Sequence, residues 1–363
     1  MKTSYSFRPS RWIRLLLLAS LAAVPALAAG FEQPFWIAFF ARILIYAIAA
    51  SALNLALGFG GLVSFGHALF LGIGAYAVGL SAHHGVGSGW VHLVVAVVAA
   101  AVIGLVVGVI SLRTSGMAFI MITLAFTQMG YFLLVSLKQY GGDDGLPVAA
   151  TSRFGPFDLG AVASVYYAAW AVLVAITGWM ARLRVAPFGM ALRGARQNAR
   201  RIDAIGLQAR HLQLAAFVLS GMLCALAGLL LANLNAFVSP STLAWTVSGE
   251  LIVMVVLGGI GTVFGPLLGA LAFLGLEEVL KGVTAHWMAV FGPLIVLVAL
   301  FGRRGIAGWL EALDRQRSPP GPPHNLPHNL PHNLPHHLPH HLPPSPAPIT
   351  ASITAAVPAP GRV

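Results

Sequence analysis

The chain has 363 residues, 58% of them hydrophobic and only 9% charged, with a formal net charge of +11. A soluble domain carries about 25% charged residues, so these apolar runs have no polar face for water, and a soluble globular protein is excluded. The arginines stand in loops beside apolar segments rather than on one soluble face, which argues for basic loops held on one side of a membrane and against a nucleic-acid partner.

Several apolar runs reach the roughly 20 residues that cross about 30 Å of hydrocarbon at 1.5 Å per residue. Residues 1–30 have a basic start (Lys2, Arg8, Arg11, Arg14), an apolar run from Leu15 and the small-residue string ALAAG at its end. A first span and a signal peptide both fit, and either leaves the rest of the chain on the same side. The run 35–57 contains Arg42, so its span is expected to start near Arg42, with that side chain reaching the outer interface. Further spans are expected over 62–82, 90–112, 117–137, 160–180 and 213–236. Gly104 and Gly108 read as helix packing. The single cysteine, Cys224, lies inside an apolar run, so a disulfide framework and a cysteine metal cluster are excluded.

Residues 182–211 gather seven arginines. Short loops rich in Lys and Arg resist translocation, so this loop is expected in the cytoplasm. Counting back places the N-terminus and Arg113 inside, and 138–159, with Asp143 and Asp144, outside. Beyond 236, one span over 250–274 and another over 287–301 would leave Arg303 and Arg304 outside, against the same rule. The glycines and Pro266 of GGIGTVFGPLLGA, 258–270, interrupt the helix there, and two short helices meeting at that point restore parity, with the C-terminus inside. Irregular backbone at this depth is tolerated where protein or a cavity covers it.

The expected fold is therefore an all-α, polytopic transmembrane helix bundle of about ten spans with one broken-helix region. It divides into an N-terminal hydrophobic segment (1–30), a membrane domain (31–310) containing the loop 182–212, and a tail (311–363). The tail repeats Pro-His-Asn/His-Leu, and proline at that frequency forbids helix and strand, so an extended, solvated segment is expected. Its histidines fit weak metal binding and low-complexity drift alike.

In the arginine loop, Pro187 suits the first turn of a helix and Gly206 its end. Projected at about 100° per residue, Ala191, Leu192, Ala195, Ala199, Ile202 and Ile205 share one side. Arg193, Arg196, Gln197, Arg200 and Arg201 share the other, with Asp203 near the boundary. An amphipathic helix over 188–205 is expected. Two readings stay open: it lies on the inner leaflet with arginines at lipid phosphates, or it docks into a cytoplasmic partner. Within the spans, Asn54, Ser64, His67, Thr123, Thr127 and Gln128 can bond to neighbouring helices. His67 has a second reading, as a residue lining a path. Glu250, near the outer end of its span, reads as a cap.

Four motifs occur in order: SALNLALGFGGLVSFGHALFLGIGAYA (51–77), GGDDGLP (141–147), PFGMALRGARQNARRIDAIGL (187–207) and SGELIVMVVLGGIGTVFGPLLGA (248–270). Together with the closing FGRRGIAGWL (301–310), they resemble the LivM-type permease subunits of branched-chain amino acid ABC importers. The resemblance covers 43–310 and leaves out the tail. It implies a subunit of the bacterial inner membrane that does no chemistry and binds no cofactor, pairing with a homologous second permease, two ABC ATPase subunits that hydrolyse ATP, and a periplasmic substrate-binding protein.

On that resemblance, 187–207 is the coupling segment for the ATPases, with Pro187, Phe188, Gly189, Arg193, Arg196, Arg200, Asp203 and Gly206 as its residues. Asn54, Ser64 and His67 are candidates for the substrate path. Gly142, Asp143, Asp144 and Gly145 are either an acidic rim that meets the binding protein or an arriving ammonium group, or a turn whose aspartates bond their own backbone.

One implication can be checked in the residues. Lys2, Lys138 and Lys281 are the only lysines and none follows glycine, so GxxxxGK[ST] is absent and the chain carries no P-loop. Permeases of this broader group also carry urea, amides or aromatic acids, and no residue assigns a side-chain pocket. An ion-coupled secondary transporter using the break near Gly258 is an alternative, opposed by the shortage of buried ionisable groups. A membrane enzyme is opposed by the lack of a clustered nucleophile, base and orienting acid.

Overall fold

In hydrocarbon no water is available to backbone N–H and C=O groups, so each apolar run must satisfy itself as a helix. The computed structural model describes residues 9–30, 34–284, 286, 288–293, 296 and 305–308. Its helices are α1 (Pro9–Gly30), α2 (Pro34–Asn54), α3 (His67–His83), α4 (Gly89–Ser111), α5 (Met117–Ser136), α6 (Val162–Leu183), α7 (Pro187–Gln197), α8 (Ala199–Ala204), α9 (Ala209–Asn235), α10 (Trp245–Gly258) and α11 (Gly265–Val283). Extended pairing among the described residues is confined to two short antiparallel ladders. These join β1 (Leu146–Pro147) to β4 (Phe237–Val238) and β2 (Arg153–Phe154) to β3 (Phe157–Asp158). Among the described residues, five stretches are long and apolar enough to cross a membrane: Phe35–Phe59, Gly89–Ser111, Met117–Ser136, Val162–Leu183 and Ala209–Asn235. Leu16–Ala26, His67–His83 and Trp245–Gly258 are shorter apolar helices. The chain is an all-α, polytopic membrane bundle.

The centre is α9, whose small residues let neighbouring backbones close in. A Cβ placed on Gly74 would collide with the Ala225 carbonyl, and one on Gly228 with the Leu71 carbonyl. With His67 beside Ser220 and Gly79 beside Val238, α3 and α9 run parallel. Along α4, Ala96, Ala100, Gly104 and Gly108 are buried, and Gly104 and Gly108 lie against Val218 and Leu214 of α9, so these two helices are antiparallel. Such small-residue stripes supply the close van der Waals contact on which helix association in lipid depends. The packing role expected of the two glycines holds. Val94, Val98, Val102 and Val106 occupy the exposed face of α4.

α1 packs on α6 for a reason written in its sequence. Pro25 has no N–H, so the Leu21 carbonyl four residues earlier loses its helical donor. The hydroxyl of fully buried Tyr166 donates to that carbonyl, and one turn along Trp170 Nε1 donates to Leu18 O at 3.1 Å.

Two breaks interrupt the bundle, where the sequence leads to the expectation of one. The expected one is present: the chain turns over residues 259–264, and α10 and α11 form an antiparallel hairpin. Gly258 and Gly269 allow its arms to meet, because a Cβ on Gly258 would strike the Gly265 carbonyl and one on Gly269 the Met254 carbonyl. Pro266 sits in the first turn of α11, where its missing N–H leaves no bond unmade. Residues 305–308 return to this turn, with Gly305 (φ +61°) against Gly259.

The other break is unexpected. α2 ends in a π-helical turn, Leu55–Phe59, and residues 60–66 are non-helical, so the span expected over 62–82 begins at His67. The four glycines Gly58, Gly60, Gly61 and Gly66 lower the cost of leaving the helix here, and Gly61 takes φ +73°. Two smaller expectations also change. α2 starts two turns before Arg42, whose charged head lies 5.7 Å from the Tyr46 ring centroid. Glu250 caps nothing: it lies in the second turn of α10, in a cavity of about 240 Å³ shared with Phe273, Glu277 and Phe291. Arg303, Arg304 and the 311–363 tail lie outside the described residues.

Candidate functional site

The basic loop begins where α6 ends. Arg182 and Leu183 carbonyls accept the Ala186 N–H, tightening the chain before Pro187 enters the first turn of α7. Gly189 then rests against the Leu183 carbonyl at a distance that admits no side chain. Leu192 and Ala195 complete the buried face and Phe188 packs partly against the core.

The single helix expected over 188–205 is two helices. Asn198 takes an extended conformation (φ −157°, ψ 98°), and its side-chain oxygen accepts the Arg201 N–H at 3.1 Å. Asparagine competes in this way for backbone donors and favours helix starts over helix interiors. The break turns the shorter α8 away from the projected stripe. Ile202 packs on Gly194, but Ala199 and Ile205 are exposed. Gly206 (φ +87°) ends α8 as expected. Asp203, rather than adding to a charged face, accepts the first N–H of α9, from Ala209, at 2.9 Å.

The arginines divide into two groups. Arg193 donates from Nη2 to Arg184 O at 2.5 Å and from Nε to Gly189 O at 3.3 Å, bracing the α6–α7 corner. Arg196 lies on the exposed face that the projection gave it, yet its guanidinium reaches back to the bundle: Nη1 donates to the Gly58 carbonyl at the end of the π turn. Arg200 and Arg201 are exposed and make no side-chain bond among the described residues.

Above Arg196 the two breaks meet. Asn54, fully buried, donates from Nδ2 to Thr262 O and accepts the Gly261 N–H, both at 2.8 Å. The irregular loop 60–66 is held by side chains from α5 and α10 and by one of its own. Thr123 Oγ1 accepts the Phe65 N–H at 3.2 Å, while Thr127 and Ser248 donate to Phe65 O at 2.9 and 2.7 Å. Ser64 Oγ accepts the Gly66 N–H at 3.0 Å. Ser248, which carries no signal in the sequence beyond being polar, also accepts the Ala68 N–H at 2.9 Å.

His67 opens onto no surface. It is fully buried, edge-on to Phe70 and Phe217, with Nε2 2.6 Å from Ser220 Oγ. Ser220 gives its one proton to Ala52 O at 2.5 Å, so His67 Nε2 must carry the proton in the pair and Nδ1 is the bare acceptor. Asn54, Ser64 and His67 thus bind the bundle's own backbone and side chains.

At the opposite end, Gly141, Gly142 and Gly145 have φ of +89°, +50° and +87°. A Cβ on Gly145 would come within 2.6 Å of Val238 O, so this glycine lets the loop lie flat on β4. Asp144 N–H bonds to Gly141 O at 3.1 Å, but both carboxylates are exposed and accept no hydrogen bond among the described residues. The side-chain turn expected of the aspartates is therefore not the one formed. Nearby, buried His92 joins Ser152 Oγ (2.7 Å) to Val86 O (2.8 Å), and Asn233 accepts the Ser152 N–H at 2.9 Å. Asp158 accepts from Thr151 Oγ1 at 2.8 Å and Gly160 N at 2.9 Å and pairs with Arg153. Those bonds, the Thr151 hydroxyl first, hold its carboxyl below the usual range.

Comparison with known proteins bears on the same residues. Residues 35–299 match the family described as "Branched-chain amino acid transport system / permease component". The "High-affinity branched-chain amino acid transport system permease protein LivM" of Escherichia coli (strain K12) is 28% identical over 288 residues, covering 72% of this chain and 68% of that protein. The protein of the same name from Salmonella typhimurium (strain LT2) is 27% identical with the same coverage. No solved structure matches the chain significantly.

Proposed function

The chain belongs to the branched-chain amino acid transport permease family, and from that premise we propose that it is the membrane-spanning permease subunit of an ABC importer for branched-chain amino acids. It does no chemistry and binds no cofactor; ATP is hydrolysed by two partner ATPases. A homologous second permease and a periplasmic binding protein complete the assembly. The arginine loop lies in the cytoplasm, and the N- and C-termini share that side, in the bacterial inner membrane.

The observation that carries this reading is the seating of α7. Gly189, Leu192 and Ala195 fasten it to the bundle, while Arg200 and Arg201 just beyond it face outward. A helix fastened to the bundle and followed by outward-facing cations on α8 is suited to receive a partner's carboxylates. The coupling segment thus comprises a seat (Pro187, Phe188, Gly189), braces (Arg193, Arg196, Asp203, Gly206) and a docking charge (Arg200). The substrate path runs beside the non-helical loop 60–66, which Asn54 and Ser64 shape and His67 anchors. Gly142 to Gly145 present Asp143 and Asp144 toward the binding protein.

Reconstituted with its partners, the complex is expected to take up labelled leucine only when ATP and the binding protein are supplied. Uptake of urea in preference to leucine would overturn the substrate assignment. Arg200→Glu with Arg201→Glu should weaken ATPase association about tenfold, the loss typical of one or two charge pairs at an interface. Unchanged association would return α8 to the lipid surface.

A further inference from the structure

Gly58 ends a helix, and its carbonyl accepts no backbone N–H among the described residues. The N–H groups of Gly60, Gly61 and Leu62 bond instead to Leu55, Leu57 and Ala56. Such an orphan carbonyl at a helix C-terminus favours a cation, and Arg196 supplies one. The stem of the same side chain lies over Gly61, where an added Cβ would come within 2.7 Å of Arg196 Cγ. Its Nη1 lies 3.8 Å from the position a Cβ would take on Gly261. Asn54 ties Gly261 and Thr262 to the same spot. One charged side chain on α7 therefore bonds the first break and lies beside the second, and Asn54 ties the two together.

This matters because continuous helices and broken ones respond differently to a push. A self-bonded helix moves as a rod, whereas irregular backbone changes conformation at a few dihedrals and is where hinges are found. The two breaks are the irregular backbone described inside the bundle, and α7 reaches them through Arg196.

We propose that Arg196 is a positioning residue that carries displacement of α7 into the joined breaks at Gly58–Gly61 and Gly259–Thr262, so that ATPase movement becomes opening or closing of the membrane path. The proposal rests on the permease reading above and adds to it a division of labour: Arg200 and Arg201 hold the partner, and Arg196 transmits. The guanidinium makes the connection, and the stem packs.

The test uses the complete reconstituted complex with wild-type chain, Arg196→Met and Arg196→Lys, reading leucine uptake, ATP hydrolysed and ATPase subunits retained on purification. Arg196→Met keeps the stem over Gly61 and removes the donors. Its uptake per ATP hydrolysed should fall about tenfold, within the range of ordinary coupling free energies, with the ATPases still bound. Arg196→Lys, which keeps a donor for Gly58, should recover part of that ratio. An unchanged ratio in Arg196→Met overturns the proposal, as does loss of ATPase binding in step with uptake, which would make Arg196 a docking residue. If Arg196→Met does not assemble, the ratio in Arg196→Lys decides: equal to wild type overturns the proposal, and reduced supports it. Absence of ATP-driven leucine uptake in the wild type would refute the permease reading instead, and the two failures are thereby distinct.

Discussion

Through α4 the backbone bonds to itself, and the side chains are left to packing: Ala96, Ala100, Gly104 and Gly108 inward, Val94, Val98 and Val102 outward. From Leu55 to Gly66 the backbone instead leaves the helix, and its groups are met by Thr123, Thr127, Ser248 and Arg196, with Asn54 bonding the second break alongside. Both stretches belong to the same apolar bundle, where an unpaired backbone polar group is costly. The difference lies in where the partners come from. In α4 they are four residues away; in the break some are local, and those of Gly58 and Phe65 come from distant helices. Asn54, Thr123, Thr127 and Ser248 are polar side chains spent on irregular backbone.

The comparison breaks most readily at Asn54. Asn54→Ala leaves Gly261 N–H and Thr262 O without the Asn54 partner and separates the two breaks, which should cost about 2 kcal/mol for two half-buried backbone groups. Denaturant unfolding in bicelles would measure it, and a loss too small to detect would show that the breaks are independently stable. Thr127→Val removes a hydroxyl shared between Phe65 O and Thr123 O, leaves Ser248 on Phe65 O, and should cost about 1 kcal/mol, since side-chain hydrogen bonds within membranes are individually weak. Val98→Ala, on the exposed face of α4, should cost less than about 0.5 kcal/mol in the same assay, and a cost equal to that of Thr127→Val would erase the distinction.

The smallest effect lies outside the membrane, where water can replace a lost partner. The Asp158 carboxyl is held below its usual range by Thr151 and Gly160, and to a lesser extent by Arg153. The folded loop thus binds the proton less tightly than the unfolded chain. Its contribution is complete above about pH 4 and is lost as pH falls through the lower folded value. Hydrogen exchange at the Gly160 amide should show this acid limb in the wild type and a flat profile in Asp158→Asn.

The arginine loop shows how far local reading reaches. Pro187 and Gly206 are legible as a start and a stop because their backbone restrictions are intrinsic. Leu192 and Ala195 are legible as buried because helical period places them. On the helical projection Asn198 is one more polar residue, although asparagine before Ala-Arg-Arg is also a good cap. The direction of Arg196 has no local signature: its partner, Gly58, is 138 residues away.

Composition and order alone determined that this chain is a helical membrane bundle, which segments carry its basic and acidic residues, and that a break lies near Pro266. Those properties follow from hydrocarbon's demand for self-bonded backbone and from the intrinsic limits of proline and glycine. Only the tertiary structure decided that a second break precedes His67, that Asn54 joins it to Gly261 and Thr262 across 207 and 208 residues, and that Arg196 reaches the Gly58 carbonyl. A polar group's partner is whichever helix packs beside it, and helix packing is set by contacts between surfaces far apart in the chain.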